Sequence, residues 1–264
     1  MDLRAAAVMT ETTRFRVATY NIHKCRGFNG RILPDRIIAV IRELDADIVC
    51  LQEVVDAPEG RRAFNQARQI AEAFPEYGWC FGTNRALRGG NYGNMTLTRF
   101  PLRGWRNHDL SQQQREERGV LQADIEAADG LLMHVFNVHL GTSYMERRAQ
   151  AVRLMSEEVL GQPTLNSPRL VLGDFNEWTR GLTTRMLRKS FRTFKPQHGL
   201  RFPRTFPGML PLLSLDYYYY EPPLELENAR LWRTRKALVA SDHLPLVAEF
   251  RIHESMGERS AATL

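Results

Sequence analysis

Hydrophobic and polar positions along the chain recur with a period of two in some segments and about 3.6 in others, and these switches mark out strands and helices. Residues 15–21 alternate, with Phe15, Val17 and Thr19 facing one way, and predict a strand. Pro34 suits the first turn of a helix, and Ile37, Ile38, Ile41 and Leu44 then repeat at helical spacing. A short buried strand is expected at 47–51, delivering Gln52 and Glu53 at its C-terminal end. Residues 61–74 put Phe64, Ala67, Ile70, Ala71 and Phe74 on one helical face, and Pro75 stops that helix. Strands follow at 92–98, 119–125 and 131–139. Ser143 and Glu146 have capping-box spacing ahead of a helix carrying Val152, Met155, Val159 and Leu160. The pattern continues with a strand at 169–173 ending at Asp174, a helix at 181–189, and strands at 215–220 and 246–252.

Strands outnumber helices and several are hairpin neighbours, so a simple β-α-β alternation is excluded. The pattern predicts an α/β fold in which two mixed β-sheets pack together and are flanked by helices. No internal repeat and no Gly/Ser linker divides the chain, so a single domain is expected over 13–254, with flexible tails at 1–12 and 255–264.

Composition narrows the class without changing the fold. At 43% hydrophobic and 25% charged residues, the chain is not largely disordered. No apolar run reaches the ~18 to 20 residues of a spanning helix, and the apolar stretch at 5–9 is shorter than a secretory core of ~7 to 15 residues. A soluble, cytoplasmic protein is expected, without stable membrane insertion. Cys25, Cys50 and Cys80 are odd in number, far apart and form no Cys-x-x-Cys pair, which argues against a disulfide framework or a thiolate zinc site. Cys50, inside an apolar run, reads as a small buried hydrophobe.

Charge matters through its placement. The net charge is +6, yet residues 178–215 contain no acidic residue while Arg180, Arg185, Arg188, Lys189, Arg192, Lys195, Arg201 and Arg204 all fall there. A weaker excess over 85–118 includes Arg88, Arg99, Arg103, Arg106 and Arg115. Such runs suit either a solvated basic face or a phosphate-binding surface.

Asn21, Glu53, His139, Asp174, Asn176, Asp216, Asp242 and His243 gather at the ends of apolar runs. A carboxylate in such a place costs desolvation unless it is paired, hydrogen-bonded or bound to a cation. Together the set holds acidic oxygens for a hard cation, amides and two imidazoles, the inventory of a magnesium-assisted phosphoester hydrolase. Six segments then appear in order: 18–23 (ATYNIH), 47–53 (DIVCLQE), 137–140 (NVHL), 172–176 (LGDFN), 215–217 (LDY) and 241–245 (SDHLP). In these the chain resembles the endonuclease/exonuclease/phosphatase superfamily, with its deoxyribonuclease I-like fold, across about residues 16–250.

The resemblance implies a four-layer α/β sandwich and assigns roles. Glu53 resembles the principal Mg2+ ligand, with Asn21 beside it, Asp242 contributing and Mn2+ able to substitute. Asp174 matches the residue that orients or deprotonates the attacking water, and Asn176 the amide that positions water and phosphate. His243, oriented by Asp216, resembles the imidazole at the scissile phosphate. His139 matches the second imidazole, at the phosphate or the leaving group, although the sequence reveals no carboxylate partner for it. Tyr92, Asn94 and Arg118 resemble positions near the site, and Asn94 and Arg118 are expected to contact phosphate.

The expected activity is Mg2+-dependent hydrolysis of phosphodiester bonds by in-line attack of water, in a protein expected to be a monomer. The basic segment favours nucleic acid as substrate, with Arg188 and Lys189 binding the anion; a phospholipid or inositol phosphate is the alternative. A catalytically silent binding module would have lost metal or base residues, and Glu53, Asp174, Asn176, Asp242 and His243 are all present. His23, His108, His134, His198 and His253 match no ligand spacing and read as surface or satisfied histidines. The tyrosines at 217–220 read as strand packing rather than a base-stacking platform.

Overall fold

In the computed structural model, which describes residues 12–57, 65–87, 89–127, 130–178, 181–194 and 203–253, the alternation of the first strand divides its side chains between two cores. β1 (Thr12–Asn21) sends Phe15 and Val17 into one apolar cluster and Ala18 and Tyr20 into another. A strand buried on both faces lies in the middle of a layered structure. The expected tails, Thr12 apart, lie outside the described residues, as do the start of the second expected helix at 61–64 and Arg88, Arg180, Lys195, His198 and Arg201.

The elements run α1 (Pro34–Leu44), β2 (Ile48–Asp56), α2 (Gln66–Ala73), β3 (Gly78–Leu87), β4 (Gly90–Thr98), β5 (Leu102–Asp109), β6 (Gly119–Glu126) and β7 (Leu132–His139). They continue with α3 (Tyr144–Leu154), β8 (Arg169–Asp174), α4 (Leu182–Ser190), β9 (Arg192–Thr193), β10 (Asp216–Tyr220), β11 (Leu224–Leu231), α5 (Arg235–Ala240) and β12 (Leu246–His253). They form two six-stranded sheets, ordered β11-β12-β1-β2-β4-β3 and β5-β6-β7-β8-β10-β9.

Each sheet is mixed, with one parallel pair near its centre: β1 with β2, and β7 with β8. The sheets meet over Val17, Ile48, Leu121, Val135, Leu172 and Phe250, while α1, α2 and α5 cover the outer face of the first and α3 and α4 that of the second. This is the expected four-layer α/β sandwich. Among the described residues, no helix is long and apolar enough to cross a membrane.

The sequence pattern anticipates every central strand and misses all four edges: β3, β5, β9 and β11. Edge strands are half-exposed and polar, as in the run from Leu102 to Asp109, so they lack the buried-face alternation that marks a strand. The third helix also differs. It ends at Leu154, Val152 is exposed, and Ala151 and Leu154 face the core instead. Ser143 is its N-cap but makes no side-chain cap bond, and Glu146 is buried and accepts from Gln150 Nε2 at 3.2 Å. Finally, β2 does not stop before Glu53 but continues to Asp56 through a bulge.

Candidate active site

Both parallel pairs point their C-terminal ends to the same end of the sandwich, and the expected polar residues collect there. In the second sheet the register sets His139, Asp174 and Asp216 side by side on β7, β8 and β10. Gly173 makes this approach possible: its φ is +141°, and a Cβ there would lie 2.0 Å from the Val138 carbonyl oxygen. In the first sheet Asn21 ends β1, and Glu53 sits where β2 slips register against β4, at φ 61°. A non-glycine residue held in that region is backbone strain retained at a site.

Asp174 is the centre. Its Oδ2 accepts from Asn21 Nδ2 at 3.0 Å and its Oδ1 from the Asn176 backbone N–H at 2.9 Å. The same Oδ2 lies 3.7 Å from His243 Nε2 and 3.9 Å from His139 Nε2, too long for hydrogen bonds. One fully buried carboxylate therefore stands between two imidazoles.

The two rings are held differently. His243 Nδ1 meets Asp216 Oδ2 at 3.2 Å, and the Phe206 ring lies against the imidazole at 5.0 Å between centroids. The loop carrying His243 is fastened by Ser241 Oγ, which donates to the Asn21 carbonyl at 2.8 Å. Asp174 and Asp216 are cross-strand neighbours of like charge, a costly arrangement unless a cation joins them. Burial works against a charged His243, but Asp174 and then the bond to Asp216 outweigh it, raising its pKa to about 9. His139 has no such partner: its Nδ1 is buried without a hydrogen bond, and burial, with the Arg118 charge adding, pushes it down to about 4. Burial and the Asp216 carboxylate push Asp174 up, opposed by His243.

Glu53 occupies the other side. Its Oε1 accepts from Asn21 Nδ2 at 3.2 Å and its Oε2 from Lys24 Nζ at 2.5 Å. Burial opposes its charge, but the neighbouring His139 ring, Lys24 and Asn21 outweigh it, holding Glu53 down at about 2. Asp242 is partly exposed and meets His23 Nδ1 at 3.4 Å. Arg118 is buried at the same end, with Nη2 on Glu116 at 2.9 Å and Nε and Nη1 unbonded. Asn176 donates from Nδ2 to the Leu140 carbonyl at 2.9 Å.

The structure thus brings together Asn21, Glu53, His139, Asp174, Asn176, Asp216 and His243, with Arg118 and Asp242 at the margin. It does not bring in Asn94, which is fully buried and donates to the Gly119 and Asn137 carbonyls, tying β4 to the second sheet. Nor does it bring in Arg188 and Lys189. They occupy the last turn of α4, which leads into β9 opposite Tyr220 and Tyr219, roughly 13 Å along β10 from Asp216.

Much of the second basic run is paired away from the cluster, Arg99 with Asp45 and Asp47 and Arg103 with Glu126. His108 and His134 are satisfied by Gln122 and Asp124, and Tyr218, Tyr219 and Tyr220 pack as core. His23 and Lys24 are the residues that sequence reasoning passes over. A left-handed turn over His23–Cys25, with φ of 46°, 55° and 56°, brings them in, and a lone lysine beside a strand end carries no spacing that would announce it.

Comparison with known proteins supplies a family and a fold. A family model described as Endonuclease/Exonuclease/phosphatase family matches residues 18–243. The uncharacterized protein YbhP of Escherichia coli (strain K12) is 34% identical over 261 residues, spanning 92% of this chain and 98% of its own. Among solved structures, an endonuclease/exonuclease/phosphatase from Beutenbergia cavernae superposes with a TM-score of 0.76 at 22% identity, over 91% of this chain and 72% of that one. The mannosyl-6-phosphatase Bt3783 of Bacteroides thetaiotaomicron gives 0.70 at 19% identity, over 89% and 99%. At these identities the solved structures speak for the fold alone.

Proposed function

The chain belongs to the endonuclease/exonuclease/phosphatase family, whose members hydrolyse phosphoester bonds, and from that premise we propose that it is a divalent-metal-dependent phosphodiesterase. The observation that carries the reading is Asp174, buried between two imidazoles and tied through Asn21 to Glu53.

The donor set fits a hard cation. Glu53, Asn21 and Asp242 offer oxygen only, and Glu53 is held ionised. Among the described residues no three His, Cys, Asp or Glu side chains gather into a metal cage. A Mg2+ ion takes one or two carboxylates and keeps several waters, so Glu53 with Asn21 and Asp242 would be enough to hold it. Bound there, the ion would supply positive charge to the phosphate oxygens.

The chain's own residues do the rest. Asp174, its pKa raised, takes a proton from the attacking water as the water oxygen bonds to phosphorus. The bond from phosphorus to the leaving oxygen breaks, and that oxygen takes a proton from His243, the ring that is cationic in the neutral range. Once product leaves, Asp174 gives its proton to solvent water and His243 takes one from it, which resets the site. His139, neutral, donates a hydrogen bond to a phosphate oxygen, and the unbonded Arg118 nitrogens meet the charge that develops there. Nucleic acid, favoured by the basic segment, gains no support from Arg188 and Lys189 at this cluster.

Release of p-nitrophenol from bis(p-nitrophenyl) phosphate tests the reading. Wild-type protein should turn over with Mg2+, stop with chelator and lose most activity as His243→Ala. Glu53→Gln should need more Mg2+ and recover in part when it is supplied. Turnover by His243→Ala equal to wild type would overturn the assignment.

A further inference from the structure

Exposed apolar side chains are not spread evenly over this molecule. Four loops at the catalytic end carry most of them. Phe28 follows the Asn21 turn, and its backbone N–H reaches the Val239 carbonyl. Met145 opens α3 just beyond His139, and Trp178 stands two residues after Asn176. Met209, Leu210 and Leu212 project from a tight loop closed by the Phe206–Leu213 bridge and held to the Asp242 carbonyl through the Gly208 N–H. Phe28, Met145 and Leu210 are each about two-thirds exposed. Away from this end, the exposed large apolar side chains among the described residues are Trp79, Trp105 and, farther along α3 in a hollow that Met145 also lines, Val152.

The charge on these loops has one sign. Residues 22–33 and 203–215 contain no acidic residue. The acidic residues of 140–148 and 175–181 are Glu146 and Glu177, both buried. Glu177 is spent on the first-turn amides of α4, at Thr183 and Thr184. Arg26, Arg31 and Arg148 are exposed among the apolar tips. Apolar tips interleaved with cations match the boundary between acyl chains and anionic head groups; Asp35 and Asp242 are the carboxylates beside the Phe28 and Met209 loops. Phe28 and Trp178 offer rings that either a membrane boundary or a base could take, but Met209, Leu210 and Leu212 are aliphatic and do not match a nucleic-acid groove, which is polar and wet.

We propose that the catalytic end docks on an anionic lipid surface, with Met209, Leu210 and Leu212 entering the acyl boundary and Arg26 and Arg31 meeting head groups, so that a lipid phosphodiester is presented to the Asp174 cluster. The substrate half of this inference rests on the phosphodiesterase reading; the docking half stands apart from it. Two measurements separate them: flotation with vesicles of phosphatidylglycerol and phosphatidylcholine, and turnover of soluble bis(p-nitrophenyl) phosphate. Wild-type protein should float with phosphatidylglycerol vesicles and far less with pure phosphatidylcholine. The triple variant M209S/L210S/L212S should bind the anionic vesicles at least tenfold more weakly while its soluble turnover stays within twofold. Arg26→Gln with Arg31→Gln should weaken vesicle binding and flatten its dependence on salt. Wild-type protein that stays off anionic vesicles, a triple variant that binds them as wild type does, or preferential retention of duplex DNA over vesicles would each overturn the docking surface. Loss of soluble turnover in wild type would instead strike the hydrolase reading.

Discussion

His139 and His243 flank the same carboxylate at nearly the same distance, yet the fold gives them opposite characters. His243 has Asp174 before it and Asp216 behind it, so two carboxylates hold the imidazole protonated against the cost of burial. His139 comes to Asp174 from the neighbouring strand with nothing bonded to its Nδ1 and with the Arg118 charge near, so burial prevails and the ring stays neutral. Distance to a shared partner does not decide a charge state; what stands behind each ring does. The consequence is a division of labour around one phosphate, with one ring able to release a proton and the other only to share one.

The largest expected effect comes from breaking the cationic side. His243→Ala should lower kcat by about 10² or more, the scale of losing a transition-state donor. Asp216→Asn keeps the ring but removes its second carboxylate, so the loss should be smaller. It should also carry a signature: the alkaline limb of the kcat/KM profile, near pH 9 in wild type, should move to lower pH, and the acid limb should follow it down because the Asp216 carboxylate helps to raise Asp174. Because the two residues act as a unit, the double variant should be little worse than His243→Ala alone. Additive losses in a double-mutant cycle would break the pair.

The neutral side should respond to Arg118. Arg118→Gln removes a cation that lowers the His139 pKa, so that pKa should rise from about 4 toward the ordinary 6.5, while KM increases through loss of a phosphate contact. An unmoved His139 titration would mean that burial alone sets it.

Stability should depend on pH in both directions. The His243 pKa is about 9 when folded against an ordinary 6.5, so its contribution is full below about pH 6.5 and lost as pH rises through 9. His139 is lowered to about 4, so stability is lost as pH falls from 6.5 through 4, because the unfolded chain takes the proton first. Thermal melts from pH 4 to 10 should show both declines, and Asp216→Asn should flatten the alkaline one. The smallest effect is expected at the far end of α4: Arg188→Gln with Lys189→Gln should leave KM within twofold and its salt dependence unchanged. A flattened salt slope would return that segment to substrate binding.

What was legible in the sequence follows burial. Every strand with neighbours on both sides announces itself through apolar runs such as Ile48 to Leu51 and Leu170 to Leu172, and Asn21, His139 and Asp174 are visible because each such run stops at a polar residue. The four edge strands escape, since a half-exposed run such as Leu102 to Asp109 owes nothing to a buried face. Within the site, residue identities were readable but relations were not. Asn94 was expected at the phosphate and instead bonds two backbone carbonyls between the sheets. Lys24 reaches Glu53 only through a left-handed turn, and the basic segment around Arg188 is contiguous in sequence but turns away along α4. Charge runs report composition; where they face depends on tertiary packing that no local pattern carries.

The central claim, that Asp174 stands between one cationic and one neutral imidazole, is tested most directly by long-range 1H–15N correlation of the histidine side chains in chelator-treated protein at pH 7. His243 should show both ring nitrogens protonated and His139 a single neutral tautomer, with Asp216→Asn shifting His243 toward the neutral pattern. Two rings titrating together near pH 6.5, indifferent to Asp216, would contradict it.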